Sequence, residues 1–301
     1  MGSNTACRSV VTLMRSKLFV PASRSDLFEK AADSAADALS FDLEDAVVSE
    51  RKVEARSAVA RYLRTWPNEL DKVVIVRVNA VGTDLFTADL EAVASPRLSM
   101  INLPRVEAVV EIIEAAETLG RLQGAEHIRL LVNIETPKGL RNAWELAGAH
   151  PRVAGLQVGY VDLLEPYGIE RSEQATLSQI RLSVRLAAAE AGIAAYDGAF
   201  PMVADPEGYR AACDAARRQG FAGKTCIHPS QVPIANEVFL PTRAQVDRAR
   251  RVIAAASEAA AKGIGACLVD GEMIDAASLT SARAILALAD LPVTGPGAQA
   301  V

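Results

Sequence analysis

Histidine is scarce in this chain: His127, His150 and His228 are the three in 301 residues. A site built on several imidazoles is therefore excluded, and a bound metal is expected to be a hard cation held by carboxylates. The four cysteines, Cys7, Cys213, Cys226 and Cys267, stand singly with no CxxC pair. Reduced thiols are expected, not a disulfide framework or a zinc site. No apolar run approaches the roughly 20 residues of a membrane-spanning helix. Residues 10–14 are too few for a signal-peptide core and lack a small-residue cleavage site, so a cytoplasmic location is expected. Basic charge is not in excess, the formal net charge being −5, so neither nucleic acid nor a membrane is an expected partner. The glycine patterns GxGxxG and GxxxxGK[ST] are absent, which removes the usual support for dinucleotide or P-loop binding.

What is present is a regular alternation. Half of the chain is hydrophobic and 23% is charged, as in a well-packed α/β protein. Short apolar runs fall at 18–21, 38–43, 73–79, 100–104, 128–134, 155–159, 194–196 and 224–228. Amphipathic, Ala-rich stretches at 25–36, 49–64, 83–93, 106–119, 139–147, 172–191 and 206–219 lie between them, and 242–262 supplies another long helix. Near-continuously apolar strands imply burial on both faces, hence a parallel sheet. Eight such units predict a (β/α)8 TIM barrel with a C-terminal helical extension rather than a doubly wound sheet. The expected divisions are an N-terminal extension (1–14), a catalytic barrel (15–240), a C-terminal helical segment (241–291) and a flexible tail (292–301). Within the third, 263–275 reads as a turn, a short strand and a Gly-containing loop, and Ala276–Ala289 as a final helix.

Barrel active sites lie at the C-terminal ends of the strands. There the second run ends in Asp42-Leu43-Glu44-Asp45, the third in Arg77-Val78-Asn79, the fifth in Glu135, and the sixth leads to Asp162. Clustered carboxylates repel one another unless a cation neutralises them or some hold protons. With histidine scarce, the expected cation is Mg²⁺, which takes one or two carboxylates plus waters and substrate oxygens. Glu135 and Asp162 are the expected direct ligands, with Glu44 and Asp45 reaching the metal through water. Arg77 is left to pair with a substrate carboxylate in bidentate fashion. Against each of these stands an ordinary structural role, an ion pair or an N-cap, and Asp45 before Ala46-Val47 fits a cap. Lys224 could form a Schiff base, but it falls at the start of the eighth run, on the stability face of a barrel. His228 ends that run, and a structural imidazole is as good a reading as a catalytic one. Arg15, Lys17, Arg24 and Lys30 cluster around the first strand and helix as candidate phosphate-binding cations, although each alone is more often a solvated charge.

These residues resemble the HpcH/HpaI aldolase and citrate lyase β-subunit (CitE-like) superfamily. The matching segments are Arg15-Ser16-Lys17-Leu18-Phe19-Val20-Pro21; Asp42-Leu43-Glu44-Asp45-Ala46-Val47 with Lys52 and Arg56 behind it; Val76-Arg77-Val78-Asn79; and Ile134-Glu135-Thr136. Gly159 with Asp162-Leu163, Gly220-Phe221-Ala222-Gly223-Lys224 with Ile227-His228-Pro229, and Asp270-Gly271-Glu272-Met273-Ile274-Asp275 complete the set. The resemblance implies a (β/α)8 barrel, commonly a homotrimer, using Mg²⁺ on acyl-thioester substrates. It implies Glu135 and Asp162 as metal ligands and Arg77 as the substrate-carboxylate arginine. It also implies Asp275 as an acid that reaches a neighbouring subunit's site, although position alone would make Asp275 the N-cap of the last helix. The chain departs from its relatives at Pro104-Arg105, where Pro-Lys is common, at Tyr160-Val161 before Asp162, and at Leu164-Glu165-Pro166-Tyr167 after it. Those changes bear on the substrate. The expected activity is carbon–carbon cleavage or formation in a 3-hydroxyacyl-CoA thioester of malyl-, citramalyl- or citryl-CoA type, giving a 2-oxo acid and an acyl-CoA. The alternatives are thioester hydrolysis at the same site, a pyruvate-type aldolase, and a subunit of a citrate lyase complex acting on an acyl-carrier thioester.

Overall fold

The apolar runs become eight parallel strands closed into a barrel, in a computed structural model that describes residues 14–66 and 71–289. The strands are β1 (Ser16–Pro21), β2 (Ala38–Asp42), β3 (Val73–Arg77), β4 (Met100–Leu103), β5 (Arg129–Ile134), β6 (Val153–Val158), β7 (Ala194–Asp197) and β8 (Gly223–Cys226). Closure is made where Lys17 pairs with Thr225 and Leu18 with Cys226. The intervening helices are α1 (Phe28–Ala32), α2 (Lys52–Thr65), α3 (Asp84–Val93), α4 (Val109–Arg121), α5 (Pro137–Arg141), α6 (Ala143–Gly148), α7 (Tyr160–Leu164), α8 (Gln174–Glu190) and α9 (Pro206–Arg218). The amphipathic stretch at 139–147, expected as one helix, is broken at Asn142, whose side-chain amide donates to the Glu107 carbonyl at 2.8 Å. Five of the eight strands stop one or two residues short of the apolar runs, and the chain beyond them leaves the sheet to form the rim.

Strand alternation assigns each face its task. Phe41 points outward and packs edge-on against Phe28 and Tyr62 of the covering helices. Met14, Ala38, Val73, Ile75, Leu131 and Tyr196 point inward and fill the lower barrel. At the same end the buried Arg15 guanidinium forks onto Asp37, with two bonds of 2.8 Å, and also meets the Asn236 carbonyl at 3.2 Å. Arg15 is thus at the stability face and is not a phosphate-binding residue. Its guanidinium ties the start of β1 to the residue before β2 and to Asn236.

A second compact unit begins at Glu237, within α10 (Val232–Val238). It contains α11 (Arg243–Ala261), β9 (Cys267–Val269), β10 (Glu272–Ile274) and α12 (Ala276–Ala289). Where one short strand and a loop were expected there is an antiparallel hairpin. Asp270 and Gly271, with φ of 53° and 81°, form its two-residue turn, a conformation that Asp-Gly favours. Ala249, Val252, Val269, Ile274 and Ala282 form its own small core. The expected extension before Met14 and tail after residue 291 lie outside the described residues. Among the described residues no helix is long and apolar enough to cross a membrane. Arg15→Ala should cost about 3–5 kcal/mol, because it leaves the buried Asp37 charge unpaired. Urea unfolding monitored by circular dichroism measures it, and a loss below about 1 kcal/mol, the range of exposed pairs, would show that the pair does not anchor the barrel.

Candidate active site

The C-terminal rim of the barrel opens on a cavity of about 620 Å³ lined by Asp42, Asp45, Arg77, Glu135 and Asp162, with Asn133, Gln157 and Thr225 beneath them. β2 ends at Asp42, so Glu44 and Asp45 stand on a loop and do not share the strand face. The Asp42 carboxylate accepts the backbone N–H groups of Glu44 at 3.0 Å and Ala46 at 3.2 Å. It therefore makes the turn that was expected of Asp45. Lys52 Nζ fixes the same loop from behind, donating to the carbonyls of Leu43 and Glu44 and to Asn79 Oδ1 at 2.6–2.7 Å. Arg56 pairs with Asp89, which in turn holds Asn79. The two cations of the DLEDAV-K-R pattern are thus structural.

Arg77 was expected to be free for a substrate, and it is not. Nε and Nη2 grip Asp42 at 2.8 and 2.6 Å, and Nη1 meets Glu44 at 2.7 Å and Asp45 at 3.2 Å. The guanidinium also lies 5.2 Å from the centre of the Phe19 ring. Three carboxylates on one adjacent loop outcompete any arrangement that leaves a buried arginine unpaired.

The residue that sequence reasoning noted only as a departure, Arg105, is the more available cation. Its backbone is left-handed (φ 51°), which turns its N–H onto Glu135 Oε1 at 2.7 Å. Its side chain, half exposed, stands 3.5 Å from each of Glu44, Asp45 and Asp162. A lone arginine after a Pro carries no signal of such a position in sequence; the strained φ is visible only in the fold.

Glu135 is 3% exposed and accepts a second bond from Asn133 Nδ2 at 3.1 Å. Burial raises its carboxyl above the ordinary value; Arg77 and the Arg105 amide oppose this, while Asp162 and Asp45 add to it. Burial likewise pushes Glu44 up to about 8, with Arg77 opposing and Asp45 adding to the rise. Asp162 stands in the first turn of α7, half-buried and facing the same cavity. Gly159 leaves the room for this arrangement: a Cβ there would sit 2.4–2.5 Å from Glu135 Oε2 and Cβ.

The other candidates separate. Arg24 remains exposed beyond β1, paired with Asp26, and Lys30 is exposed on α1. Lys17 is buried inside the barrel and faces no solvent. The stagger of the barrel brings Lys224 level with Asp197 at the end of β7, where Nζ donates to Asp197 at 2.5 Å and to the Gly198 carbonyl at 2.7 Å. Lys224 is therefore not at the opposite face, and this pairing opposes a nucleophilic role. His228 caps the turn after β8 through Ser230. Asp275 belongs to the second unit, is exposed, and accepts the Ser278 N–H at 2.9 Å; this bond holds its carboxyl below the ordinary value.

A closed parallel barrel whose mouth gathers carboxylates and guanidiniums from several strands places the chain among the acidic-mouthed (β/α)8 barrels. The profile of the HpcH/HpaI aldolase/citrate lyase family matches residues 15–229, and the chain belongs to that family. It is 39% identical to a (3S)-malyl-CoA thioesterase of Cereibacter sphaeroides over 280 residues, 92% of this chain and 94% of that one. It is 34% identical to the citrate lyase β subunit of Escherichia coli over 283 residues, 92% and 93% of the two chains. Among solved structures it is similar to CitE of Mycobacterium tuberculosis in complex with magnesium, acetoacetate and coenzyme A, with a TM-score of 0.73, 33% identity and coverage of 91% and 97%.

The residues fit a magnesium ion. Among the described residues no three His, Cys, Asp or Glu side chains converge on one point. Two carboxylates on one cavity, completed by water and substrate oxygens, are what Mg²⁺ commonly uses. Burial that raises Glu135 is relieved by any cation placed against it. Gly159→Ala should displace Glu135 and weaken Mg²⁺ binding by roughly 10–100-fold, the effect typical of disturbing a ligand's support. Isothermal titration of Mg²⁺ reads this, and unchanged affinity would show that Glu135 is not a ligand.

Proposed function

We propose that this chain is a magnesium-dependent carbon–carbon lyase of the citrate lyase β-subunit-like type, acting in the cytoplasm on a 3-hydroxyacyl-CoA thioester. Its substrate is malyl-, citramalyl- or citryl-CoA-like, and its products are a 2-oxo acid and an acyl-CoA, or the reverse in condensation. The observation that carries this reading is that Glu135 and Asp162 line one cavity together with Arg77, with Arg105 standing 3.5 Å from Asp162. Support comes from the family, and from a relative whose structure holds magnesium, acetoacetate and coenzyme A.

Glu135 and Asp162 would hold the ion, which supplies charge neutralisation and Lewis-acid polarisation of bound oxygens. Arg105, half exposed and loosely paired at 3.5 Å, can swing to a substrate carboxylate at little cost. Arg77 would fix the loop that carries Glu44 and Asp45, and join the substrate only if those carboxylates turn away. Arg24 and Lys30, exposed after β1, would meet the phosphates of coenzyme A, Arg24 by leaving Asp26. Loss of the substrate's hydroxyl proton drives the cleavage, and the resulting thioester enolate takes a proton on carbon. Asp275, delivered by a neighbouring copy in a homotrimer, is the proposed acid. Its low carboxyl in the single chain means that it must leave the Ser278 cap to act.

Thioester hydrolysis is the second reading, favoured by the likeness to (3S)-malyl-CoA thioesterases. Product analysis separates the two. Purified protein with Mg²⁺ and malyl-, citramalyl- or citryl-CoA should give a 2-oxo acid and an acyl-CoA. Free coenzyme A with an intact hydroxy acid would establish hydrolysis instead. Activity appearing only with an acyl-carrier partner would establish a complex subunit. Glu135→Ala should abolish the metal-dependent turnover while the circular dichroism spectrum stays that of the native fold. Undiminished turnover in that variant would remove the metal assignment.

A further inference from the structure

Barrel interiors are ordinarily filled by branched aliphatic side chains. Beneath the carboxylate rim this one is not. The inward faces of β1, β2, β4, β5, β6 and β8 carry Lys17, Ser40, Asn102, Asn133, Gln157 and Thr225, all buried. The three amides are joined: Asn102 Nδ2 and Gln157 Nε2 both donate to Asn133 Oδ1, at 3.0 and 3.1 Å. The remaining polar atoms, Lys17 Nζ, Ser40 Oγ, Asn102 Oδ1, Gln157 Oε1 and Thr225 Oγ1, have no hydrogen-bonding partner among the described residues. Buried polar groups are almost always satisfied, by protein or by water. These five come from five strands and are complementary in kind, an amine and two hydroxyls set among two amide oxygens. Water bridging these groups would satisfy all five, and the space among them would then be a water-holding chamber.

The chamber adjoins the candidate active site. Asn133, Gln157 and Thr225 line the rim cavity, and so does Phe19, whose ring centre is 4.3 Å from Lys17 Nζ. The charged and titratable groups whose fields act on the amine are Arg77 on β3, Asp42 on β2, Glu135 after β5 and, from the outer face of β8, Cys226; the amine hydrogen-bonds to none of them. Burial, with Arg77 adding to it, holds the amine well below its ordinary 10.5. A buried lysine with no carboxylate to pair with weakens the fold, and such groups persist where the chemistry uses them.

We propose that Lys17 accepts the substrate's hydroxyl proton through water held in this chamber, an inference that rests on the lyase reading above. As the O–H bond breaks, its electron pair forms the new carbonyl and the carbon–carbon bond breaks. The pair from that bond passes to the thioester as an enolate, and the proton comes to rest on Lys17 Nζ. The enolate carbon takes its proton from the separate acid, which regains one from Lys17 through solvent. No proton is gained or lost over the cycle. Lys17 acts through water and does not touch the substrate.

The test compares wild type with Lys17→Met and Lys17→Gln on malyl-CoA with Mg²⁺ across pH. The base works only when neutral, so the wild-type rate should rise with pH through the lysine's own titration. Both variants should lose that rise, with kcat lowered about 10²-fold or more and KM little changed. A readout without turnover accompanies it. The unfolded chain binds a proton at Lys17 that the native chain does not, so wild-type stability should climb as pH rises towards 10.5, and the Lys17→Met curve should lack that climb. Variants with wild-type kcat and an unchanged pH profile overturn the proposal, as does a Lys17→Met stability curve parallel to the wild-type one. If the products reveal hydrolysis, the substrate's hydroxyl keeps its proton and the proposal falls with the lyase reading; if they are a 2-oxo acid and an acyl-CoA, unaltered variants overturn the Lys17 role alone.

Discussion

Mutual repulsion among carboxylates is the constraint on which the mouth of this barrel depends. Asp42, Glu44, Asp45, Glu135 and Asp162 are brought together from three strand ends and face two guanidiniums, Arg77 and Arg105. In a partly buried site, like charges a few ångströms apart raise each other's pKa or demand a cation. Both responses are present. Glu44 is pushed up to about 8, mainly by burial. Arg77 is drawn fully into the loop after β2. The arrangement is consistent with a site whose charge is balanced by an ion and an anionic substrate rather than by the protein alone.

The same constraint explains why the two arginines differ. Arg77 is fixed by Asp42 in a forked pair, the geometry that suits guanidinium and carboxylate best, and it lies on Phe19. Arg105 makes no contact shorter than 3.5 Å with any carboxylate through its side chain, and is held in place by its backbone. One arginine builds the wall and the other is left to respond to what enters. A guanidinium suits that response, since it can bridge two carboxylates at once.

Much of the fold was legible because it rests on periodicity: eight apolar runs separated by amphipathic stretches leave little but a parallel barrel. That Glu135 and Asp162 would share the rim was legible from position, since they follow the fifth and sixth runs, and both line the one cavity. What was hidden depends on pairing across the fold. Nothing near Arg15 in sequence announces Asp37, and nothing near Arg77 announces that Asp42 will turn back to claim it. Lys224 was misplaced because strand stagger in a barrel sets the start of one strand beside the end of another, which residue order along β8 does not reveal. The hairpin of β9 and β10 was within reach, its Asp270-Gly271 turn being a signal that short strands alone do not give.

The polar band below the rim was hidden for a different reason. Lys17, Ser40, Asn102, Asn133, Gln157 and Thr225 are scattered over the length of the barrel, each a single polar residue in an apolar strand. Read one at a time, they look like tolerated imperfections; closure of the barrel turns all six to the same interior. An interior built for stability alone would replace them with Val, Ile and Leu. That it does not, and that the amine among them has no partner, places the departure from good packing directly beneath the departure from good electrostatics. In a structure otherwise consistent from pattern to packing, two adjoining violations are better explained by one use than by two accidents.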